Sequence, residues 1–195
     1  MKGKEKILKL FYENQRANFH LREIARRTQL NENSVYRFLQ QLESEKVLVP
    51  VKEANLKKYS LQKSLSAYAT LSVLDIQRFT SLPEIRKKAI HLFLDSLPEK
   101  PIITLLFGST AKNTYTKESD IDLLLIVNKR IDTIQAKNLV DAQTAMQISD
   151  FQIEIPTFKE EIKRKEDKVI QAALTTGYPI TNHIEYYRTL YDETP

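Results

Sequence analysis

The 195-residue chain carries 30 basic and 25 acidic side chains, a formal net charge of +5, and 42% of its residues are hydrophobic, enough for a core in one large or two small domains. It has no cysteine, which excludes a disulfide framework, a thiolate metal site and a cysteine nucleophile; any catalytic metal must rest on oxygen or imidazole ligands. No apolar run approaches the ~20 residues of a membrane span, and Met1 to Lys9 is charged throughout rather than built as a signal peptide, so the expectation is a soluble, cytoplasmic protein with no membrane partner.

Three helices and a hairpin are predicted first, because apolar residues recur at helical spacing and then alternate. Ile7, Leu8, Leu10 and Phe11 supply the inner face of the first helix. Leu21, Ile24 and Ala25 do so for a short helix over Leu21 to Thr28, closed by the polar turn Gln29, Leu30, Asn31. Asn31 is the natural N-cap of a third helix with Val35, Leu39 and Leu42 facing inward and Asn33, Ser34, Tyr36, Arg37, Gln40 and Gln41 on its other face. Val47 to Val51 and Lys58 to Leu61 read as strands around a turn at Glu53 to Lys57.

Two further helical patterns occupy Ser64 to Leu97, broken at Ser81, Leu82 and Pro83, where proline suits the first turn of a new helix. Leu65, Tyr68, Leu71 and Leu74 run along one side of the first, which reads as a connector that packs on something. Past Pro98 and Pro101 come apolar strands at Ile102 to Phe107 and Ile121 to Val127, a helix from Asp132 to about Met146, a strand from Phe151 to Ile155 and a helix from Lys159 to Thr175. There is no internal repeat.

Charge is unevenly placed. Residues 1–63 hold 14 basic and 7 acidic side chains, a net of +7, which leaves 16 against 18 and a net of −2 for the remainder. A positive field of that kind attracts a polyanion through phosphate contacts and counterion release.

The richest chemistry lies between Phe107 and Val127. A strand runs into Gly108-Ser109, and Asp120-Ile121-Asp122 opens the next strand, where alternation puts both aspartates on one face. Paired carboxylates on a rigid edge suit Mg2+, which favours oxygen ligands and is commonly shared between one or two carboxylates and substrate phosphates. Gly108 allows close backbone approach to a phosphate, and the Ser109 hydroxyl and neighbouring amides can bond its oxygens.

The stretch GSTAKNTYTKESDIDLLLIV resembles the GS…DxD signature of the nucleotidyltransferase superfamily that includes DNA polymerase β and the minimal nucleotidyltransferases, with Ser119 directly before Asp120 as in the family pattern. A glycine common in the middle of that loop is here Asn113, a residue that tolerates the left-handed conformation. The resemblance implies transfer of a nucleoside monophosphate from an NTP to a protein or nucleic acid hydroxyl with two Mg2+ ions. It also implies a third carboxylate from a neighbouring strand, for which Glu154 is the best match, on the reasoning that Phe151, Ile153 and Ile155 face the core, with Asp150 the alternative. Lys112 is a candidate to neutralise the triphosphate. His20, His91 and His183 have no metal-ligand spacing and are read as core or surface residues.

The segment FHLREIARRTQLNENSVYRFLQQLESEKVLVPVKEANLKKYSLQ resembles the winged helix-turn-helix of transcriptional regulators, as fused to nucleotidyltransferase domains in archaeal proteins. That resemblance implies double-stranded DNA as partner, with Asn33, Ser34, Tyr36, Arg37 and Gln40 near base edges and Arg22, Arg26, Arg27, Lys57 and Lys58 on phosphates. The expected fold is α+β: a winged helix-turn-helix over 1–63, a helical connector over 64–82 and a mixed-sheet nucleotidyltransferase domain flanked by helices over 83–195. The alternative to an active transferase is a winged-helix regulator whose second domain senses nucleotide, holds a homodimer together or binds a toxin-like partner.

Overall fold

The computed structural model describes residues 3–193. It divides into two compact units, one ending at Leu74 and one beginning at Asp75, with the division inside a single helix, α4 (Leu65–Thr80).

The first unit opens with α1 (Gly3–Glu13), which buries Ile7 and Phe11, and continues through a two-residue strand β1 (Phe19–His20) into α2 (Leu21–Thr28) and α3 (Glu32–Ser44). The backbone N–H of Ser34 donates to Asn31 Oδ1 at 2.8 Å, so Asn31 is the N-cap of α3 that its sequence position suggested, and Val35, Leu39 and Leu42 are fully buried. α2 is capped instead by His20, whose ring Nδ1 accepts from the Glu23 N–H at 3.3 Å.

The wing consists of β2 (Leu48–Glu53) and β3 (Leu56–Leu61), with β1 on the far side of β3 in an antiparallel sheet of order β1-β3-β2. The turn between them is only Ala54-Asn55, tighter than the five residues expected, because Glu53 pairs with Leu56 and Lys52 with Lys57; Ala54 takes a positive φ of 52° to close it. Phe19 pairs with Tyr59 and meets Phe11 edge-on at 5.4 Å, which brings β1 into the core. Two residues are too few for β1 to leave a periodic trace in the sequence. In α4, Tyr68 and Leu71 are buried but Leu65 is 62% exposed, so the expected four-residue stripe is not inward along its whole length.

The second unit begins with the end of α4 and α5 (Glu84–Ser96), which Pro83 precedes as the N-cap residue rather than as part of the first turn. A four-stranded sheet follows, of order β6-β5-β4-β7: β4 (Ile103–Phe107) is antiparallel to β5 (Ile121–Val127), β5 is parallel to β6 (Ile148–Glu154), and β7 (Tyr178–Thr181) closes the other edge. The one-turn helix α6 (Gly108–Lys112) lies between β4 and β5 in the chain, and α7 (Ile134–Thr144) between β5 and β6. Every residue of β4 is buried, as is every residue of β5 except Asp122. Such continuous apolar runs are what burial on both faces of a sheet requires.

On one face Leu106, Leu123, Leu125 and Val127 join Ala89, Ile90 and Phe93 of α5 and Ala136 and Val140 of α7 in one cluster. On the other, Ile103, Leu105, Leu124 and Ile126 are equally buried, and α8 (Ile155–Arg164), α9 (Lys168–Thr176) and α10 (His183–Glu193) contribute Phe158, Ile162, Ile170, Ala173 and Tyr187 against the strands.

Two further expectations require correction here. The helix placed at Lys159 to Thr175 is two helices: Lys165 turns left-handed with φ 60°, and Asp167 caps α9 by accepting from the N–H groups of Val169 and Ile170. β7 and α10 were not foreseen. β7 is a four-residue edge strand with a proline in it, and proline is tolerated on an edge because it needs no ladder N–H there. The strand placed at Phe151 to Ile155 begins three residues earlier, and this moves its side chains to other neighbours.

Candidate functional site

Asp120 and Asp122 converge at the start of β5. Phe107 at the end of β4 pairs with Asp122, so Gly108 leaves its strand directly beside that aspartate. Gly108 has a φ of +66°, and a Cβ built on it would lie 1.9 Å from Asp122 Oδ2. The space that a side chain at 108 would take is thus held by the carboxylate of Asp122, where the sequence suggested a phosphate. Only glycine meets both demands, the left-handed backbone and the absent Cβ.

Downstream, α6 ends at Asn113 in the left-handed conformation, φ 57°, and its N–H closes on the carbonyls of Ser109 and Thr110. Asparagine therefore supplies at this C-cap the left-handed conformation that glycine most often supplies at helix ends. Ser109 is half-buried, Lys112 is exposed, and the positive charge of Lys112 acts on Asp122.

The electrostatics are those of crowded acids. Burial pushes the Asp122 carboxyl above the usual carboxylate range, the negative charge of Asp120 pushes it further, and Lys112 offsets part of this. A divalent cation between the two would relieve that repulsion, so the donor set fits one hard cation with oxygen ligands.

Among the described residues, β6 brings no third carboxylate to this face. In the parallel register Asp122 pairs with Ser149, Leu124 with Phe151 and Ile126 with Ile153, so those three residues of β6 share the face of Asp122. Ser149 stands where the third acid was expected, and its Oγ donates to Asp120 Oδ2 at 3.0 Å. Glu154 pairs with Val127 at the far end of β6 and projects from the opposite face; the expectation failed because Phe151 faces the site side, 40% exposed, instead of the core. Asp150 projects with Glu154. It is engaged by Lys137 Nζ at 2.8 Å, Thr133 Oγ1 at 3.1 Å and Gln152 Nε2 at 3.1 Å. Among the described residues no group of three or more His, Asp or Glu side chains is placed to hold a metal. His91 meets Phe79 edge-on at 5.4 Å, and burial lowers the affinity of His183 for a proton.

Arg86 was not singled out from sequence. It is 2% exposed, on the stripe of α5 that also buries Ala89, Ile90 and Phe93. Its Nη1 donates to Thr110 Oγ1 at 2.8 Å, and its Nη2 to the carbonyls of Thr116 and Ser119 at 2.8 and 3.1 Å; Tyr115 stacks on the guanidinium at 4.0 Å. One planar fork therefore ties α6 to the loop that delivers Asp120. A charged residue in register with an apolar helix stripe was the available signal.

In the first unit, α3 presents Asn33, Tyr36, Arg37 and Gln40 as exposed side chains with Ser34 half-buried. Tyr36 is 51% exposed and its hydroxyl accepts from Gln40 Nε2 at 2.7 Å. Arg22 and Arg26 on α2 are exposed, Arg22 reaching Glu32 at 3.8 Å. The other expected phosphate contacts are engaged by acids: Arg27 with Glu23 at 2.8 Å, Lys57 with Glu43 at 3.5 Å and Lys58 with Glu53 at 2.7 Å.

No helix among the described residues is long and apolar enough to cross a membrane. A model of the nucleotidyltransferase domain matches residues 92–187, from within α5 to within α10, and a model of the IclR helix-turn-helix domain matches residues 6–51. No curated protein and no solved structure matches the chain. The two matched segments fall one in each compact unit, and the chain is accordingly a helix-turn-helix domain fused to a nucleotidyltransferase domain.

Proposed function

We propose that this chain is a DNA-binding regulator whose nucleotidyltransferase domain takes up a nucleoside triphosphate with a single Mg2+ ion and serves chiefly as a nucleotide sensor. The observation that carries this reading is the face that β6 shares with Asp122, which offers Ser149, Phe151 and Ile153 and no acid. Asp120 and Asp122 hold the ion, while Ser109 and Lys112 receive phosphate oxygens. Gly108 makes room for Asp122, and Ser149 orients Asp120. When bound, Mg2+ neutralises charge on the phosphates. A second ion next to an acceptor hydroxyl needs a further carboxylate, and a neutral serine hydroxyl cannot draw a proton from an alcohol.

The second reading is an active transferase that modifies a hydroxyl on a protein or nucleic acid, and the intact Gly108-Ser109 and Asp120-x-Asp122 elements favour it. In both readings α3 and the exposed arginines of α2 engage double-stranded DNA, two copies reading two half-sites.

A direct test follows the melting temperature with each NTP and Mg2+, since a ligand of the folded state stabilises it, alongside incorporation of labelled nucleotide. The sensor reading expects stabilisation that vanishes in the Asp120→Ala, Asp122→Ala double variant, with only trace turnover by the wild type. It further expects Ser149→Asp to raise nucleotide transfer by on the order of 100-fold, the contribution of a positioned base. Rapid transfer by the wild type, abolished in the double variant, would establish the second reading instead.

A further inference from the structure

Among the described residues of the second unit, six large apolar side chains are exposed, and Phe151 is the one aromatic and the one strand residue in that set. A bare phenylalanine on a strand normally costs hydrophobic stabilisation. Its position is specific. It shares the face of Asp122 and Ser149, two residues beyond Ser149 on the adjacent strand. Strand geometry places its Cβ on the order of 8 Å from that of Asp122.

The ring is also held. Phe107, the residue before Gly108, is buried and meets Phe151 at 5.8 Å between centroids and 61° between planes, an edge contact that fixes Phe151 from one side. The residue as a whole is still 40% exposed. A rigid aromatic at this distance from a phosphate and metal site matches the span between the phosphates of a nucleotide and its base.

We propose that Phe151 is the stacking platform for the base of the bound nucleotide, an inference that rests on the nucleotide-binding reading above. The polar side chains of β6 other than Ser149, namely Asp150, Gln152 and Glu154, project from the opposite face, so β6 offers no hydrogen-bonding groups along the base edge. Selection therefore acts through stacking area: ATP and GTP bind more tightly than UTP and CTP.

The chain contains no tryptophan, so Phe151→Trp in the full-length protein introduces a sole indole reporter. Titration with Mg-ATP is expected to change its fluorescence, and titration with Mg-tripolyphosphate, which has no base, to leave it unchanged. Phe151→Ala and Phe151→Leu are each expected to weaken Mg-ATP roughly 5- to 150-fold, the range for loss of one base–aromatic stack, with tripolyphosphate affinity unaltered. Leucine retains apolar volume, so agreement between the two variants separates stacking from packing. Equal weakening of ATP and tripolyphosphate, or unchanged ATP affinity in both variants, overturns the proposal while leaving nucleotide binding intact. Failure of the wild type to bind either ligand overturns the nucleotide-binding reading and this inference with it.

Discussion

Gly108 and Asp122 occupy one another's space: any side chain at position 108 would start 1.9 Å from the Asp122 carboxylate, on a backbone already at φ +66°. Gly108 opens α6 directly after β4 and Asp122 lies on β5, so the glycine of the Gly-Ser pair and the second aspartate of the Asp-x-Asp pair are a single packing unit. Gly108→Ala is expected to lower stability by about 1–3 kcal/mol from backbone strain and to displace Asp122. Chemical denaturation and Mg-NTP titration on the same protein check this, with binding expected to fall more than the stability loss alone explains.

Replacing Arg86 tests whether the loop geometry depends on a single guanidinium. Arg86→Met removes the guanidinium bonds to Thr110 Oγ1 and to the carbonyls of Thr116 and Ser119, an expected loss of about 2–4 kcal/mol. Arg86→Lys retains the charge but not the planar fork, and should recover only part of it. Unfolding curves of the three proteins in urea decide the matter; identical midpoints would remove Arg86 from the support of the site.

Two carboxylates of this unit have opposite pH signatures. Asp122 is raised by burial first and by the charge of Asp120 second, so the folded state holds its proton more tightly than the unfolded chain does. Stability then falls as pH rises from the ordinary carboxylate range through the raised value. For Asp150, burial raises the carboxyl, but hydrogen bonds from Lys137, Gln152 and Thr133 outweigh it and the net direction is down. Its stabilisation is present above the ordinary range and is lost as pH falls through the lowered value. Denaturation between about pH 4 and pH 7 should show Asp122→Asn gaining on wild type toward neutral pH, and Asp150→Asn losing about 1–3 kcal/mol there, with both differences shrinking toward acid.

On the DNA side, the exposed Tyr36 of α3 and the exposed Arg26 of α2 should separate base contact from phosphate contact. Tyr36→Ala is expected to reduce discrimination between operator and random duplex by about 1–3 kcal/mol, whereas Arg26→Ala weakens both and lowers the salt slope by about 1. Binding isotherms across a salt series distinguish the two. A Tyr36 variant that loses specific and random affinity equally would place that residue off the base edges.

Much of this architecture was legible in the chain because it is locally determined. The Asn31 cap, the inward Val35, Leu39 and Leu42, the apolar runs of β4 and β5 and the shared face of Asp120 and Asp122 all follow from residues within a few positions of one another. What lay beyond reach was pairing between distant segments. The face that β6 turns to the site depends on its register with β5, and a one-residue change in that pairing exchanges its two sides; hence Ser149 and Phe151 stand beside the aspartates where Glu154 was expected. Arg86 was missed for the same reason, since its partners Thr110, Thr116 and Ser119 are 24 to 33 residues away. Local pattern determined the elements and the acidic pair; only tertiary packing decided which side chains surround it, because strand register and helix docking minimise the energy of the whole domain.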